Sequence, residues 1–192
     1  MSRGMQGELL KVLQQDTEKW AQCKRLFRVR EFAAGSTLLR EGDVSRTMYF
    51  IKRGCLRLWF NKEGKDITFQ FFFENQGVSS FESFFAGKPS IFSLESIEPT
   101  IAATISRGNW DTMLTVYPAL KESFQEVLIE RMGTYARLFL SMIKNSPRER
   151  YEALVRERPD ILQRVPQRYI ASYLGITPVS LSRIRGRIHR KH

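Results

Sequence analysis

Between Val165 and Arg190 the chain reads VPQRYIASYLGITPVSLSRIRGRIHR, and its side chains offer hydrogen bonding and charge neutralisation rather than bond breaking. In a DNA major groove an Arg fork can pair with both guanine acceptors, a Ser can donate or accept, and a Val can touch a thymine methyl. On a helix advancing about 100° per residue, Val179, Ser182, Arg183, Gly186 and Arg190 share one face, with Ser180 and Arg187 on its flank. Leu181, Ile184 and Ile188 fall opposite. The outer face is small, polar and cationic, so it can approach phosphates and base edges. Arg183 is the candidate principal base reader, refined by Val179, Ser180 and Ser182, and Gln167, Arg168, Arg187 and Arg190 are the candidate phosphate contacts.

Two short helices must carry these groups. Pro166 suits a first helical turn, where no amide donor is needed. Ile170, Ala171 and Leu174 then share a face, Gly175 stops the helix and turns the chain, Thr177 caps the next helix and Pro178 fits its first position. Thr177 and Pro178, at the start of that helix, complete the candidate DNA-binding set. From helix geometry alone, an ordinary basic helix pair on a small α-helical cap stands equally open.

The charge distribution favours a polyanion partner. The net charge is +11, and after Asp160 seven basic residues face no acidic one. The first 160 residues hold 24 basic and 20 acidic side chains, an excess of only four. A basic tail on a nearly balanced body points to nucleic acid. A membrane surface is the rival, disfavoured because the tail lacks a strongly apolar face with Trp or Phe. No stretch approaches 18 apolar residues and no signal peptide is evident, so no membrane span and a reduced, cytoplasmic setting are expected.

Enzyme chemistry finds little support. Both histidines, His189 and His192, sit in the tail, so a metal-dependent barrel has no clustered His ligands. Cys23 and Cys55 lack metal-like spacing, and no nucleophile–base pairing emerges. No metal, no cofactor and no catalytic residue are expected.

The rest of the chain supplies the frame. Residues 5 to 25 read as a helix with Met5, Leu9, Leu10, Leu13 and Trp20 apolar. Phe27 to Phe32 alternates as a half-buried strand does. Ser36 to Arg40, Met48 to Ile51, Leu56 to Phe60 and Ile67 to Phe73 read as further strands, and residues 92–98 and 101–106 are expected to pair around Glu98-Pro99. Short strands at regular spacing predict a barrel or a double-sheet jelly roll. Ser106 to Tyr117 reads as a short helix, and residues 119–144 as a long amphipathic one. Along it Leu128, Tyr135 and Met142 recur every seven residues, as do Met132 and Phe139, a heptad-like stripe. Ser146-Pro147-Arg148-Glu149 matches a capping box and starts a helix to Glu157. A helical piece from Asp160 to Val165 precedes the two-helix unit. The predicted fold class is α+β: residues 1–118 an N-terminal helix and barrel, 119–145 the long helix, 146–192 an all-α domain with no strand between Pro147 and Pro166.

Two resemblances sharpen this reading. Ile170-Ala171-x-x-Leu174-Gly175-Ile176-Thr177, followed by Leu181-Ser182-Arg183-Ile184, resembles the helix-turn-helix of the CRP/FNR (catabolite activator) family of bacterial regulators. The resemblance implies that Pro178, Val179 and Arg183 face the bases. Pro and Val stand where that family often carries a polar or charged residue. LLREGDVSRTMYFIKRG, Leu38 to Gly54, resembles the signature of cyclic-nucleotide-binding domains, with Ser45 in place of a Gly, Ala or Cys. Together they span about residues 25 to 190 and imply a double-stranded β-helix (jelly-roll) barrel, a dimerisation helix and a C-terminal helix-turn-helix. Family domains usually add a β-hairpin wing, for which no pattern is found here.

The resemblance also places a ligand cassette at residues 76–96, where a helix N-terminus and an Arg neutralise the cyclic phosphate and a Glu takes the ribose hydroxyl. Alignment on Gly87 puts Ser80 at the Glu position, Ser90 at the Arg position and Ile91 at the following Ser or Thr. All three are changed, so cyclic AMP is not the expected effector. Either the cassette is core packing, with Phe81, Phe84 and Phe85 filling the barrel mouth, or it holds another small-molecule effector. Ser79, Ser80, Phe81, Ser90, Ile91 and Tyr135 are the candidate pocket. The implied dimer interface is Leu128, Met132, Tyr135, Phe139 and Met142. An iron–sulfur sensor, known in that family, needs more cysteines. The expected partners are double-stranded DNA with a pseudo-palindromic site, a second copy of the chain, and RNA polymerase. The competing expectation is a sensor acting through protein contacts, with only non-specific nucleic-acid binding.

Overall fold

The computed structural model describes residues 16–189. Met5, Leu9, Leu10 and Leu13 lie outside that range, as does Arg190. Helix α1 (Thr17–Cys23) begins at Asp16, whose carboxylate accepts the Lys19 amide at 3.0 Å. Eight strands follow: β1 (Arg28–Phe32), β2 (Thr37–Leu39), β3 (Thr47–Arg53), β4 (Leu56–Lys62), β5 (Lys65–Phe72), β6 (Gly77–Val78), β7 (Ser93–Ser96) and β8 (Thr100–Ser106). They form two four-stranded sheets, ordered β1-β8-β3-β6 and β2-β7-β4-β5. This is the expected double-sheet, jelly-roll-like arrangement.

One expected pairing is corrected. Residues 92–98 and 101–106 do not form a hairpin: β7 joins β2, and β8 lies between β1 and β3 in the other sheet. The Ile97–Pro99 segment is a crossing between sheets, with the Ile97 amide donating to the Cys55 carbonyl at 3.1 Å. Gly54 makes room for it. Its φ is +107°, and a Cβ there would fall 2.7 Å from the Thr100 Cα. Only Gly tolerates both the backbone angle and the approach.

Helix α2 (Phe81–Ala86) stands between β6 and β7 and ends on Gly87 in the left-handed conformation. Helix α3 (Arg107–Val116) is capped by Ser106. Helix α4 (Leu120–Lys144) has 25 residues, about 37 Å at 1.5 Å per residue. Helix α5 (Pro147–Glu157) carries the expected capping box, Ser146 and Glu149 each bonding the other's amide. Helices α6 (Pro159–Arg164), α7 (Gln167–Tyr173) and α8 (Pro178–His189) complete the chain. Among the described residues no strand follows α4, and no helix is long and apolar enough to cross a membrane.

Two compact units emerge, and they cut the chain differently from its linear order. The first holds described residues 16–58 and 72–131; the second holds 59–71 and 132–189. In the first, Met48, Phe50, Phe84, Ile105, Trp110, Met113, Leu120 and Phe124 form one buried cluster. In the second, Tyr151, Leu154, Ile161, Val165, Ile170, Ala171, Leu174 and Leu181 are buried, together with Phe71 of the β4–β5 hairpin.

Candidate nucleic-acid interface

Helix α7 forms because Ile170, Ala171 and Leu174 bury on one side, each at 3 % exposure or less. The Pro166 carbonyl accepts the Tyr169 and Ile170 amides. The helix stops at Gly175, φ +65°. There the Ile176 amide reaches the Ala171 carbonyl and the Gly175 amide the Ser172 carbonyl, both at 3.0 Å. This pair of bonds is the Schellman closure, which satisfies the last carbonyls of a helix. Thr177 then caps α8: its hydroxyl accepts the Ser180 amide at 3.2 Å, and its carbonyl accepts the Leu181 amide. Pro178 occupies the first turn.

Arg150 of α5 locks the turn from below. Its Nε and Nη2 donate to the Leu174 carbonyl at 3.2 and 2.8 Å, and its Nη1 donates to the Asn145 carbonyl at 2.7 Å. One guanidinium thus neutralises the negative ends of both α7 and α4. Nothing in the sequence reading singled out Arg150. Its position one turn after a capping Ser, in an otherwise exposed segment, was the available signal.

The faces of α8 fall as the helical spacing predicts. Leu181 is 1 % exposed, and Ile184 and Ile188 are half-buried. Pro178, Val179, Ser182, Arg183, Gly186 and Arg187 are exposed, and Ser180 is half-buried. A Cβ on Gly186 would meet nothing within 4 Å. Among the described residues Arg183 and Arg187 have no ion-pair partner, so their charge is directed outward. On α7, Gln167 and Arg168 are exposed, and Arg168 bonds the Tyr169 hydroxyl at 3.0 Å while its guanidinium covers that ring. The result is a convex helix face of small polar groups flanked by cations.

The cassette has a different chemistry. Ser79, Ser80 and Ser90 are buried. The Ser80 and Ser90 hydroxyls lie 2.8 Å apart, and Ser90 also reaches the Phe92 carbonyl at 2.7 Å. Ser45 and Ser79 pair at 2.9 Å, Ser79 donates to the Thr47 carbonyl at 3.0 Å, and the Ser83 hydroxyl accepts the Ser45 amide at 2.8 Å. Each hydroxyl has one hydrogen to give. In the chain Ser45–Ser79–Thr47 each hydrogen has an acceptor, and the Ser90 hydroxyl hydrogen is shared between the Ser80 hydroxyl and the Phe92 carbonyl.

Ile91 points out at 61 % exposure, while Phe84 is buried and Phe81 and Phe85 pack on Phe124. Tyr135 belongs to the second unit, where its ring centroid lies 4.9 Å from that of Phe69. A groove of about 450 Å³ lies beside Leu38, Asp43, Arg46 and Tyr49, and none of the candidate pocket residues lines it. Among the described residues, no group of three or more His, Cys, Asp or Glu side chains is arranged to hold a metal ion.

Two buried cations escaped the sequence reading. Arg57 of β4 is fully buried, with Nη2 2.8 Å and Nε 3.0 Å from Glu95 Oε1 on β7. Arg131 of α4, 4 % exposed, donates to the Gly77 carbonyl at 2.8 Å and lies over the Phe81 and Phe72 rings at 4.7 and 5.1 Å. Arg131 was findable: Leu120, Phe124, Val127 and Arg131 follow the 4-3-4 spacing of one buried helix face. Arg57, between Leu56 and Leu58 on a strand, alternates as an exposed residue would.

On α4, Leu128 packs on the first unit's core and Tyr135 on Phe69, while Met142 is 37 % exposed. Seven-residue spacing fits two adjacent faces of a helix. The outward face is Ile129 (70 %), Met132 (70 %), Ala136, Phe139 (66 %) and Ile143 (66 %), spaced 3-4-3-4. Met132 and Phe139 of the expected interface lie on it.

A search of curated proteins gives no match. Residues 29–117 match the cyclic nucleotide-binding domain family. Among solved structures the chain is similar to the c-di-GMP-responsive global regulator CLP of Xanthomonas campestris, at 14 % identity over 92 % of this chain and 93 % of that one, TM-score 0.74. It is similar to a CooA mutant from Carboxydothermus hydrogenoformans, at 16 % identity over 89 % and 79 % of the two chains, TM-score 0.73. FixK2 from Bradyrhizobium japonicum aligns at 14 % identity over 86 % and 85 %, TM-score 0.73. Residues 29–117 are therefore similar to the cyclic nucleotide-binding domain family, and the chain shares the fold of these CRP/FNR-type transcription regulators.

Proposed function

We propose that the protein is a CRP/FNR-type transcription regulator that binds a specific DNA sequence as a dimer and does not use cyclic AMP as its effector. The observation that carries the reading is the exposed face of α8. Val179, Ser182, Arg183, Gly186 and Arg187 stand outward on a helix whose start, turn and predecessor are each fixed by named hydrogen bonds. In this reading α8 enters the major groove. Arg183 reads a base, Val179, Ser180 and Ser182 refine the choice, and Pro178 and Thr177 set the approach of the helix N-terminus. Gln167, Arg168, Arg187 and Arg190 hold phosphates and fix the register.

The dimer is assigned to the α4 seam of Ile129, Met132, Ala136, Phe139 and Ile143. Its members are all apolar, and the small Ala136 at its middle lets two helices approach closely. A two-fold dimer places two copies of α8 in successive major grooves, roughly 34 Å apart, and so requires an inverted repeat. RNA polymerase is the expected downstream partner. The serine pairs support the absence of a cyclic-nucleotide response: the positions that would hold the ribose and the phosphate hydrogen-bond to each other. The proposal gives the barrel no cofactor.

Selection from a random duplex pool, followed by sequencing at two salt concentrations, tests the reading. An inverted repeat that stays enriched at the higher salt is the expected result. Binding that enriches no sequence and collapses with salt would reduce the tail to a phosphate binder and refute it.

A further inference from the structure

Strand β5 is the outer strand of its sheet. An edge strand leaves a row of backbone N–H and C=O groups without a ladder partner. On one side of β5 two of these groups, two residues apart, are taken by a single side chain. Ser172 Oγ donates to the Asp66 carbonyl at 2.8 Å and accepts the Thr68 amide at 2.7 Å. The C=O of residue i and the N–H of residue i+2 point the same way from a strand, so one hydroxyl does here what one residue of a neighbouring strand would do.

Ser172 lies near the C-terminal end of α7. A Ser inside a helix usually faces water or bonds back to its own helix, and is neutral to unfavourable there. This one is committed to another element. Beside it Tyr173 stacks on Phe71, ring centroids 5.3 Å apart, and Phe71 is 1 % exposed. Two residues on, the Leu174 carbonyl is held by Arg150. Helix α7 is therefore gripped by a strand edge on one side and a guanidinium at its end. All of these residues belong to the second compact unit, in which the β4–β5 hairpin is the β element among the described residues.

We infer that the β4–β5 hairpin is a working part of the DNA-reading unit and that Ser172 is its positioning residue. The hydroxyl clasps α7 to the β5 edge, and through the closed turn at Gly175 it sets the presentation of α8. The hairpin thus supplies the lateral support that this helical region draws from no strand of its own among the described residues. The inference rests on the reading of α7 and α8 as the DNA-binding pair.

The test uses the full-length chain with Ser172→Ala, Ser172→Thr and Ser172→Cys. Amide exchange is measured at Thr68 and along Leu181–Ile188, and affinity is measured for the selected inverted repeat and for a mixed-sequence duplex. Ala should speed Thr68 exchange about tenfold or more, speed exchange in α8, and weaken the selected duplex several-fold more than the mixed one. Thr, which keeps the hydroxyl, should restore all three. Cys keeps the volume with a weak donor and acceptor, and takes the place of Ala if Ala does not fold. If Ala or Cys opens Thr68 while α8 exchange and selected-duplex affinity stay at wild type, the clasp is edge protection alone and the inference falls. If the wild-type chain selects no duplex, the regulator reading fails, and the clasp is then decided by whether α8 exchange follows Thr68 exchange across the three variants.

Discussion

Replacing Phe139 with Asp should separate the paired copies while leaving each copy folded. Phe139 is 66 % exposed in the single chain, between Met132 and Ile143 on the outward face of α4. Full burial of such a side chain is worth about 1.5–3 kcal/mol. Two-thirds of that, lost once in each copy, amounts to about 2–4 kcal/mol of association free energy. At about 1.4 kcal/mol per tenfold, the dimer dissociation constant should rise about 30- to 700-fold. Two carboxylates brought into an apolar seam add to the effect. Sedimentation equilibrium across nanomolar to micromolar concentrations reads the dissociation constant, and circular dichroism reads the fold. Leu128→Asp is the contrast, because Leu128 packs on the first unit's core. It should destabilise the chain rather than act on association alone. A Phe139→Asp protein that dimerises as tightly as wild type would refute the seam, and so would a Leu128→Asp protein that loses dimerisation with full stability.

Three further outcomes are expected. Arg183→Ala should cost about 1–3 kcal/mol of specific binding and relax preference at one base pair of each half-site; a selection profile of the variant checks this, and uniform weakening of all sequences would make Arg183 a phosphate contact. Glu95→Ala removes the carboxylate paired with the fully buried Arg57 and should cost about 3–5 kcal/mol in urea unfolding, whereas Arg57→Met with Glu95→Leu should restore most of it. The Ser146 hydroxyl and amide hold the Glu149 carboxyl below the usual carboxylate range. Its contribution is present above the ordinary Glu value and is lost as pH falls through the depressed one, so the protection factors of the Glu149 and Arg150 amides, corrected for the intrinsic pH dependence of exchange, should fall with acidification. Glu149→Gln, which cannot titrate, should flatten that response.

The local punctuation of this chain was legible before its tertiary structure. Gly175, Thr177 and Pro178 act through their own backbone constraints and caps, so the turn and the start of α8 follow from residue type alone. The same holds for Ser146 and Glu149. What escaped was long-range. The β7 and β8 segments alternate as a hairpin would, yet the close approach of Gly54 and Thr100 sends them to opposite sheets. Arg57 mimics an outward strand residue because its partner Glu95 is 38 positions away. The heptad spacing on α4 marked an apolar stripe, but which of its members pack within the chain was not legible: Leu128 meets the first unit's core while its neighbour Ile129 is 70 % exposed. Ser172 was invisible as more than a helical serine, because the strand edge it clasps lies 106 residues earlier.

The central claim is that two copies of α8 read two half-sites across a two-fold axis. The most direct measurement is affinity for the selected sequence as the half-sites are moved apart one base pair at a time. A single sharp optimum near one helical turn, about 10–10.5 base pairs centre to centre, is the predicted result, with steep loss on either side. Affinity indifferent to spacing would mean that the helices act singly or that the tail binds phosphate alone, and would contradict the account.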